Sequence, residues 1–446
     1  MGGTPETLYA RDGDLYVAYQ VVGDSGPDLL YVPIALWPID LIWDEPTVAS
    51  HLRRLASFSR LILVDILGTG SSDVVRGENP AMQAWTDGLL AVLDAAGSER
   101  ASVIAMTGSA LPAALLAASY PDRVGSLILW SPWARYLRAH DHPIGMPEPM
   151  LQQFLDISEE NHGTGANIDW NAPSWAGDPA KRRWWARCER LEATPGYFRW
   201  MLELYLRTDL RPVIGTIQAP TLVMGRRAAR VVSIGHAKDF ANRIPNSRYV
   251  EFDGDDLEWL AGDVDPVLDE IESFVSGERS AKPSNRVLST VLFTDIVEST
   301  KRAAQLGDDA WTPVVAAHDR LIERHVTSWR GEVVKFTGDG ALATFDGPAR
   351  AIECACAIRD AVEDIGLSIR VGLHTGEIEK SEGDIHGIAV HVAARIMGLA
   401  APREVLVSGV IPPLVLGSRL SFTERGEHEL KGVPGAWSVL AVDDPR

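Results

Sequence analysis

The sequence predicts a chain of two parts: a mainly parallel α/β sheet domain with a helical cap, followed by a smaller α+β domain. Short apolar runs alternate with amphipathic stretches over the first part, which favours right-handed crossovers and a parallel sheet. A polar segment with Gly and Pro follows, and strands and helices then recur without a regular period. We therefore predict an N-terminal domain over residues 1–278, a linker over 279–286 and a C-terminal domain over 287–446.

Six apolar runs in the N-terminal part are predicted as strands buried on both faces, and four amphipathic stretches as helices between them. The strands are residues 28–34, 60–66, 101–106, 124–130, 219–225 and 247–252, and the helices are 51–58, 84–97, 111–120 and 236–244. Between residues 133 and 211 the alternation stops, and we expect a helical cap over the sheet. Its tryptophans either line a ligand pocket or fill the core of the cap, and the sequence leaves both open: Trp170, Trp175, Trp184, Trp185 and Trp200.

The C-terminal part opens with a predicted strand over residues 287–296 and a helical stretch to about Trp329. Two strands joined by the tight turn Thr337-Gly338-Asp339-Gly340 come next. A helix over 349–362, a strand over 367–378 and a helix over 388–399 follow. This irregular order of strands and helices is typical of an α+β sandwich.

Composition narrows the class of protein. In 446 residues, 46% are hydrophobic and 23% charged, which is typical of globular chains. Lys and Arg number 42 against 61 Asp and Glu, and the net charge of −19 argues against nucleic acid or anionic lipid as a partner. Three cysteines fit a reduced cytoplasmic protein. No apolar run approaches the roughly 20 residues of a membrane helix, and we expect neither a membrane span nor a signal peptide.

Three stretches of the N-terminal part resemble the α/β-hydrolase family: DILGTGSSD at 65–73, the strand–turn–helix around residue 107, and ASYPDRVGSLIL at 118–129. The resemblance places the catalytic serine, acid and histidine at Thr107, Ala229 and Leu257, and none of these residues can perform the chemistry. Val32-Pro33-Ile34 stands where the oxyanion loop is expected to carry a glycine. The resemblance therefore implies a catalytically inactive, regulatory domain. The alternative is an active hydrolase that uses His236 or His51 as base.

Four motifs in the C-terminal part resemble the class III nucleotide cyclases: residues 293–300, 335–340, 384–387 and 388–395. Asp295 ends a strand and Asp339 lies in a neighbouring turn, so the two carboxylates could together hold hard divalent metals, Mg²⁺ or Mn²⁺. Two metals can stabilise the attacking and leaving oxygens of a phosphoryl transfer. The resemblance adds the backbone carbonyl of Ile296 as a ligand. Together with the hydrolase-like part, the chain resembles adenylate cyclases of the actinobacterial type.

Further residues match the nucleotide-binding positions of the cyclases. Lys335 and Asp384 match the pair that reads the base, and an ammonium with a carboxylate complements N1 and the N6 amino group of adenine. Guanine presents the opposite pattern, so the pair favours ATP over GTP. Arg395 matches the arginine that stabilises the transition state, and His391 stands where the family has asparagine, which puts the pH optimum in question. Lys431 is a weaker match for a triphosphate contact.

In this family one protomer supplies the metal carboxylates and its partner supplies the base-reading pair and the His/Arg helix. Because this chain carries both sets, the resemblance implies a homodimer with shared sites. We expect an adenylate cyclase that forms 3′,5′-cyclic AMP and pyrophosphate, and an N-terminal domain that senses a small apolar ligand. The alternatives are an esterase or lipase with a regulatory nucleotide-binding domain, a non-catalytic nucleotide-binding module, and a guanylate cyclase.

Overall fold

A computed structural model describes residues 4–33, 37–75, 81–277, 286–381 and 384–443. The chain divides into two compact units, one within residues 1–284 and one from Asn285 onward. All but the last residue of the predicted linker 279–286, and Ile34 of the predicted oxyanion loop, lie outside the described residues. The domain limits proposed from the sequence stay predictions.

The first unit is built on an eight-stranded sheet. Its strands are β1 (Leu8–Asp12), β2 (Leu15–Val22), β3 (Asp28–Val32), β4 (Arg60–Val64), β5 (Ala101–Met106), β6 (Val124–Trp130), β7 (Thr221–Arg226) and β8 (Ser247–Phe252), in the order β1-β2-β4-β3-β5-β6-β7-β8. Strands β3 to β8 are parallel, whereas β1 and β2 are antiparallel to their neighbours. All six predicted strands are present. The hairpin β1–β2 was not predicted, and β8 is an edge strand with partly exposed residues, so its predicted burial on both faces is wrong.

Nine helices of the first unit cover and cap this sheet among the described residues. They are α1 (Pro46–Phe58), α2 (Ala81–Ala95), α3 (Ala110–Ser119), α4 (Glu148–Asn161), α5 (Ile168–Asn171), α6 (Pro179–Glu192), α7 (Pro195–Arg207), α8 (Ile234–Arg243) and α9 (Asp265–Ser276). Helix α6 begins at a proline after Asp178, whose carboxylate accepts the Ala180 amide at 2.7 Å, and α7 begins at a proline after Thr194. Helices α4 to α7 lie between residues 148 and 207, within the predicted cap.

The second unit contains a second sheet with helices on both faces. Its strands are β9 (Arg286–Ile296), β10 (Glu332–Phe336), β11 (Gly340–Phe345), β12 (Ile369–Ser381), β13 (Asp384–His386), β14 (Val405–Ser408), β15 (Phe422–Glu429) and β16 (Ala436–Val442). Seven follow the order β10-β11-β9-β12-β14-β16-β15, and β13 pairs with β12. The helices are α10 (Ser299–Leu306), α11 (Asp308–Ser328), α12 (Pro348–Ala361), α13 (Ile388–Leu399) and α14 (Ile411–Leu414).

The alternation of side chains along β9 explains the two covered faces of this sheet. Leu292 packs with Ile322 of α11 and Ile352 of α12 on one face. Its neighbour Val291 packs with Ala389 of α13 on the other. The predicted α+β sandwich is confirmed, although β13 to β16 were not predicted. Among the described residues, the helices include none with the length and apolarity that crossing a bilayer requires.

Candidate active site

Asp295 and Asp339 lie side by side at one end of the second sheet. Strands β9 and β11 pair so that Gly340 stands opposite Asp295, and the amide of Ile296 donates to the carbonyl of Asp339 at 3.0 Å. A Cβ on Gly340 would lie 2.1 Å from the Thr294 carbonyl oxygen, so only glycine allows this approach. The structure thus brings the two predicted metal carboxylates together.

Each of these carboxylates has a partner that the sequence reasoning missed. Arg370 of β12 stands opposite Asp295, and its Nη2 and Nε lie 2.6 and 2.8 Å from Oδ2 of Asp295. The hydroxyl of Ser299, the first residue of α10, donates to Asp339. Only the register of β9 against β12 could have indicated Arg370. For Ser299 the signal was its place four residues after Asp295, at a helix start.

The oxygen donors at this end fit a hard divalent cation. Two carboxylates and the carbonyl of Ile296 are the ligand types that Mg²⁺ and Mn²⁺ prefer. The described part of the chain holds no cluster of three or more His, Cys, Asp or Glu side chains suited to a metal. Complete coordination would therefore need oxygens from substrate or water, and Mg²⁺ usually keeps such ligands.

Lys335 and Asp384 form a close ion pair. Lys335 lies on β10 and Asp384 opens β13, and the Nζ atom is 2.6 and 2.7 Å from the two carboxylate oxygens. The amide of Ile385 also donates to Asp384, at 2.8 Å. The hydrogen bond from Lys335 lowers the pKa of the Asp384 carboxyl. Both side chains are partly exposed, so one planar ligand can contact both.

Helix α13 presents the predicted phosphate-binding residues. A Cβ on Gly372 of β12 would lie 2.1 Å from the Met397 amide nitrogen, so this glycine lets α13 lie directly on the sheet. His391 and Arg395 are four residues apart on the exposed face of α13. The Nε of Arg395 donates to the carbonyl of Lys431 at 3.2 Å. These three predicted residues are therefore close together.

The strand register separates Lys431 from Asp295. Asp295 is opposite Arg370 of β12. The same row of paired residues, followed across β14 and β16, reaches the start of β15. Lys431 comes after the other end of β15, which is eight residues and on the order of 25 Å long. The carboxylate group and the end of β15 that precedes Lys431 therefore lie at opposite ends of this sheet.

The first unit has a sharp turn between β5 and α3, called the elbow below, at the position where the α/β-hydrolase resemblance places the nucleophile. Thr107 joins β5 to α3 with φ +49°, a left-handed conformation that a β-branched residue tolerates poorly. The hydroxyl of Ser109 donates to the carbonyl of Pro33 at 2.7 Å, so it holds the elbow against β3. Among the described residues, the Thr107 hydroxyl has no hydrogen-bond partner.

A cavity of about 120 Å³ lies between this elbow and the cap. Thr107 and Leu257 both line it, whereas Ala229 is in the turn after β7 and does not. His236 is separated from the cavity by the ring of Tyr136, on which it stacks with centroids 5.2 Å apart. Burial lowers the pKa of His236 to about 4, and burial also lowers the pKa of His51. Neither histidine lines the cavity.

The cap tryptophans divide between core and cavity. Trp170 lines the cavity. Three others surround Trp37: the ring centroids of Trp175, Trp184 and Trp185 lie 6.1, 5.0 and 5.3 Å from that of Trp37. Trp200 packs against Trp85, with ring centroids 6.3 Å apart. Of the two alternatives that the sequence left open, core packing applies to four of the five tryptophans.

Known proteins match both parts of the chain. Residues 280–441 match the family model "Adenylate and Guanylate cyclase catalytic domain". A protein of Rhizobium meliloti (strain 1021) named "Putative adenylate cyclase 3" is 34% identical over 157 residues, which are 33% of this chain and 27% of that protein. An uncharacterized protein of Mycobacterium tuberculosis (strain ATCC 25618 / H37Rv) is 30% identical over 162 residues, which are 35% of this chain and 56% of that protein. The chain spans less than two thirds of either relative.

The first unit is similar to solved hydrolase structures. An esterase from Exiguobacterium antarcticum superimposes with a TM-score of 0.52 at 16% identity, over 60% of this chain and 98% of the esterase. This likeness shows the fold. The chain therefore combines an α/β-hydrolase fold with a nucleotide cyclase domain. That cyclase domain, at residues 280–441, is of class III, as the sequence motifs predicted.

Proposed function

We propose that the chain is an adenylate cyclase that converts ATP into 3′,5′-cyclic AMP and pyrophosphate. The match of residues 280–441 to the cyclase family supports a nucleotide substrate. The observation that carries the choice of ATP is the Lys335–Asp384 ion pair, at 2.6 Å. An ammonium can donate to adenine N1, and a carboxylate can accept from the N6 amino group. Guanine would place its N1–H against the ammonium and its O6 against the carboxylate.

In the reaction, the ribose 3′-oxygen loses its proton and forms a bond to the α-phosphorus. The bond from the α-phosphorus to the oxygen that bridges to the β-phosphate breaks, and pyrophosphate leaves. We assign Arg395 to the negative charge at the α-phosphate and Lys431 to the triphosphate. His391 would donate a hydrogen bond to a phosphate or ribose oxygen. Asp295, Asp339 and the Ile296 carbonyl would hold two Mg²⁺ or Mn²⁺ ions, which stabilise charge on the attacking and leaving oxygens. Arg370 and Ser299 orient the two carboxylates.

We further propose a homodimer in which each site takes residues from two chains. The strand register is consistent with this, because Asp295 lies in the row of the sheet at the start of β15, whereas Lys431 follows the end of that strand. In the cyclases that the chain resembles, one protomer supplies the metal carboxylates and its partner supplies the His/Arg helix, so a single chain would offer two incomplete sites. Two chains related by a twofold axis would complete both sites.

The cysteines bear on where the protein works. Cys188, Cys354 and Cys356 are free, which supports a reduced, cytoplasmic location, where ATP is available.

Product analysis tests the cyclase assignment. Purified full-length protein is incubated with ATP or GTP, each with Mg²⁺ or Mn²⁺, and the products are separated by chromatography. We expect cyclic AMP and pyrophosphate in equal amounts from ATP. A predominance of cyclic GMP would show the purine assignment to be wrong. Absence of any cyclic nucleotide under all four conditions would favour a non-catalytic nucleotide-binding module.

For the first unit we propose a ligand-sensing role without hydrolysis. The support is a cavity whose elbow carries Thr107 and whose histidine position carries Leu257. Binding there can shift the cyclase if the affinity differs between two arrangements of the dimer. The esterase alternative is tested with a chromogenic short-chain ester. Hydrolysis by the full chain that Thr107→Ala abolishes would establish the esterase and exclude an inactive domain.

A further inference from the structure

The cavity of the first unit has an uncharged and largely aromatic lining. None of the described residues that line it is charged. Aromatic side chains form much of the wall: Trp133, Tyr136, Phe154, Phe198 and Tyr205. Ile157 and Trp170 also line it and are 37% and 46% exposed, so the cavity reaches the surface between α4 and α5.

One hydroxyl marks where a polar group of a ligand would bind. Thr107 lines the cavity, and its hydroxyl has no hydrogen-bond partner among the described residues. The hydroxyl of Tyr205 is enclosed by protein atoms, with Glu192 and Tyr197 as its electrostatic neighbours, so only the ring of Tyr205 contributes to the wall. Thr107 can therefore donate to an oxygen acceptor of the ligand.

The volume limits the ligand to one ring. An engineered apolar cavity of about 150 Å³ in another protein binds benzene. The cavity here, about 120 Å³, is similar, and its open side leaves room for a short substituent.

The absence of a lining charge limits the ligand further. An ion loses its hydration when it enters an apolar cavity, and the loss is offset only by a partner of opposite charge. Among the described residues, no lysine, arginine or histidine lines the cavity to pair with a carboxylate, and no aspartate or glutamate lines it to pair with an ammonium.

We propose that this cavity binds an uncharged single-ring compound, aromatic or alicyclic, that carries one oxygen acceptor. The ring packs against the aromatic wall, and the acceptor takes a hydrogen bond from Thr107. The ligand is bound without turnover. The proposal names the ligand class for the sensing role proposed above and rests on it.

Three probes with the same ring test the charge requirement: methyl benzoate, benzoate and benzylamine, with acetophenone and cyclohexanone as further uncharged compounds. Binding to the full-length protein at neutral pH is followed by tryptophan fluorescence and by thermal shift. We expect at least one uncharged probe to bind, and benzoate and benzylammonium to bind at least about 100-fold more weakly, because each would be buried without a counter-charge. Equal or tighter binding of either ion, or no binding of any uncharged probe, would overturn the proposal.

Variants locate the site. Leu257→Trp fills the cavity and should abolish binding, and Leu191→Trp is the matched control at a cap residue that is 55% exposed and does not line it. Ile157→Trp at the half-exposed opening gives the same test if Leu257→Trp fails to fold. Thr107→Val, which keeps the side-chain shape, should weaken binding about fivefold through loss of one hydrogen bond. Binding that survives both Leu257→Trp and Ile157→Trp would place the ligand elsewhere.

Cyclase rates measured with saturating probe separate this proposal from the functions proposed above. Binding without a change in rate would leave the ligand class standing and refute the sensing role. A cyclase that is active but binds no uncharged probe would refute the ligand class and leave the cyclase assignment standing.

Discussion

Two inactive variants of this chain should restore activity when they are mixed. Asp295→Ala removes a carboxylate assigned to the metals, and Arg395→Ala removes the cation assigned to the α-phosphate. Each homodimer then carries the same defect in both sites and should be nearly inactive. In a mixed dimer, one site receives Asp295 from one chain and Arg395 from the other, while the second site receives both defects.

The recovery follows from the symmetry of the dimer. Equal amounts of the two variants, pairing at random, give half mixed dimers, and each mixed dimer has one intact site of two. The expected activity is therefore about a quarter of that of the unmodified protein at the same total concentration. Other ratios of the two chains should give less, with the maximum at equal amounts.

The assay is cyclic AMP formation from ATP after the variants have been mixed and left to exchange subunits, with exchange verified by two affinity tags. The matched control mixes Asp295→Ala with Asp339→Ala. Asp339 lies in the turn before β11, next to the Gly340 that pairs with Asp295, so both residues belong to the same part of one chain. Each site of a mixed dimer then lacks one of them, and no recovery is expected. Verified exchange without recovery in the first mixture, or equal recovery in both, would refute the shared site.

Three further predictions concern single side chains. Asp339→Ala should lower turnover at least about 100-fold at unchanged thermal stability, since no other carboxylate in the motif replaces it; activity within tenfold in a cyclic AMP assay would contradict the metal assignment. Asp384→Asn should reduce the preference for ATP over GTP about tenfold or more in kcat/KM, because the amide can also donate to the guanine oxygen; an unchanged ratio would remove Asp384 from base reading. Glu258→Gln should stabilise the first unit at high pH. Burial raises the pKa of Glu258 from its ordinary value of 4.5 to about 8. The free energy of unfolding of the unmodified protein therefore falls by up to about 5 kcal/mol as the pH rises between these two values. Denaturant unfolding at pH 5 and pH 8 should show that Glu258→Gln raises the free energy of unfolding only at pH 8. Equal increases at both pH values would contradict the raised pKa of Glu258 as the cause.

The sequence predicted the central strands of the first unit because they are continuous apolar runs, which buried parallel strands require. It did not predict β2, although this strand is mainly apolar and four of its residues are buried. It also missed β1, an edge strand with mostly exposed residues that pairs with β2 around the turn at Gly13. It also missed β15, an edge strand with many charged residues. Such strands carry a weak hydrophobic signal, and only their pairing identifies them.

The candidate site was predictable where a motif holds the residues together. Asp295, Asp339, Lys335 and Asp384 come from motifs, and the structure brings Asp295 beside Asp339 and Lys335 beside Asp384. Arg370 was missed because its place beside Asp295 depends on the register of β12 with β9, which no local pattern specifies. The cavity lining was also unpredictable, since it combines residues distant in the chain.

The left-handed backbone at Thr107 bears on how an esterase could be engineered in this unit. That conformation comes from the passage of β5 into α3, and the chain adopts it although the side chain is threonine. Residues in such conformations cost on the order of 1–3 kcal/mol, which the surrounding fold compensates. The main-chain geometry that a serine nucleophile needs is therefore already formed. Engineering such an esterase becomes a problem of side chains at positions 107, 229 and 257, with no rebuilding of the backbone at the elbow.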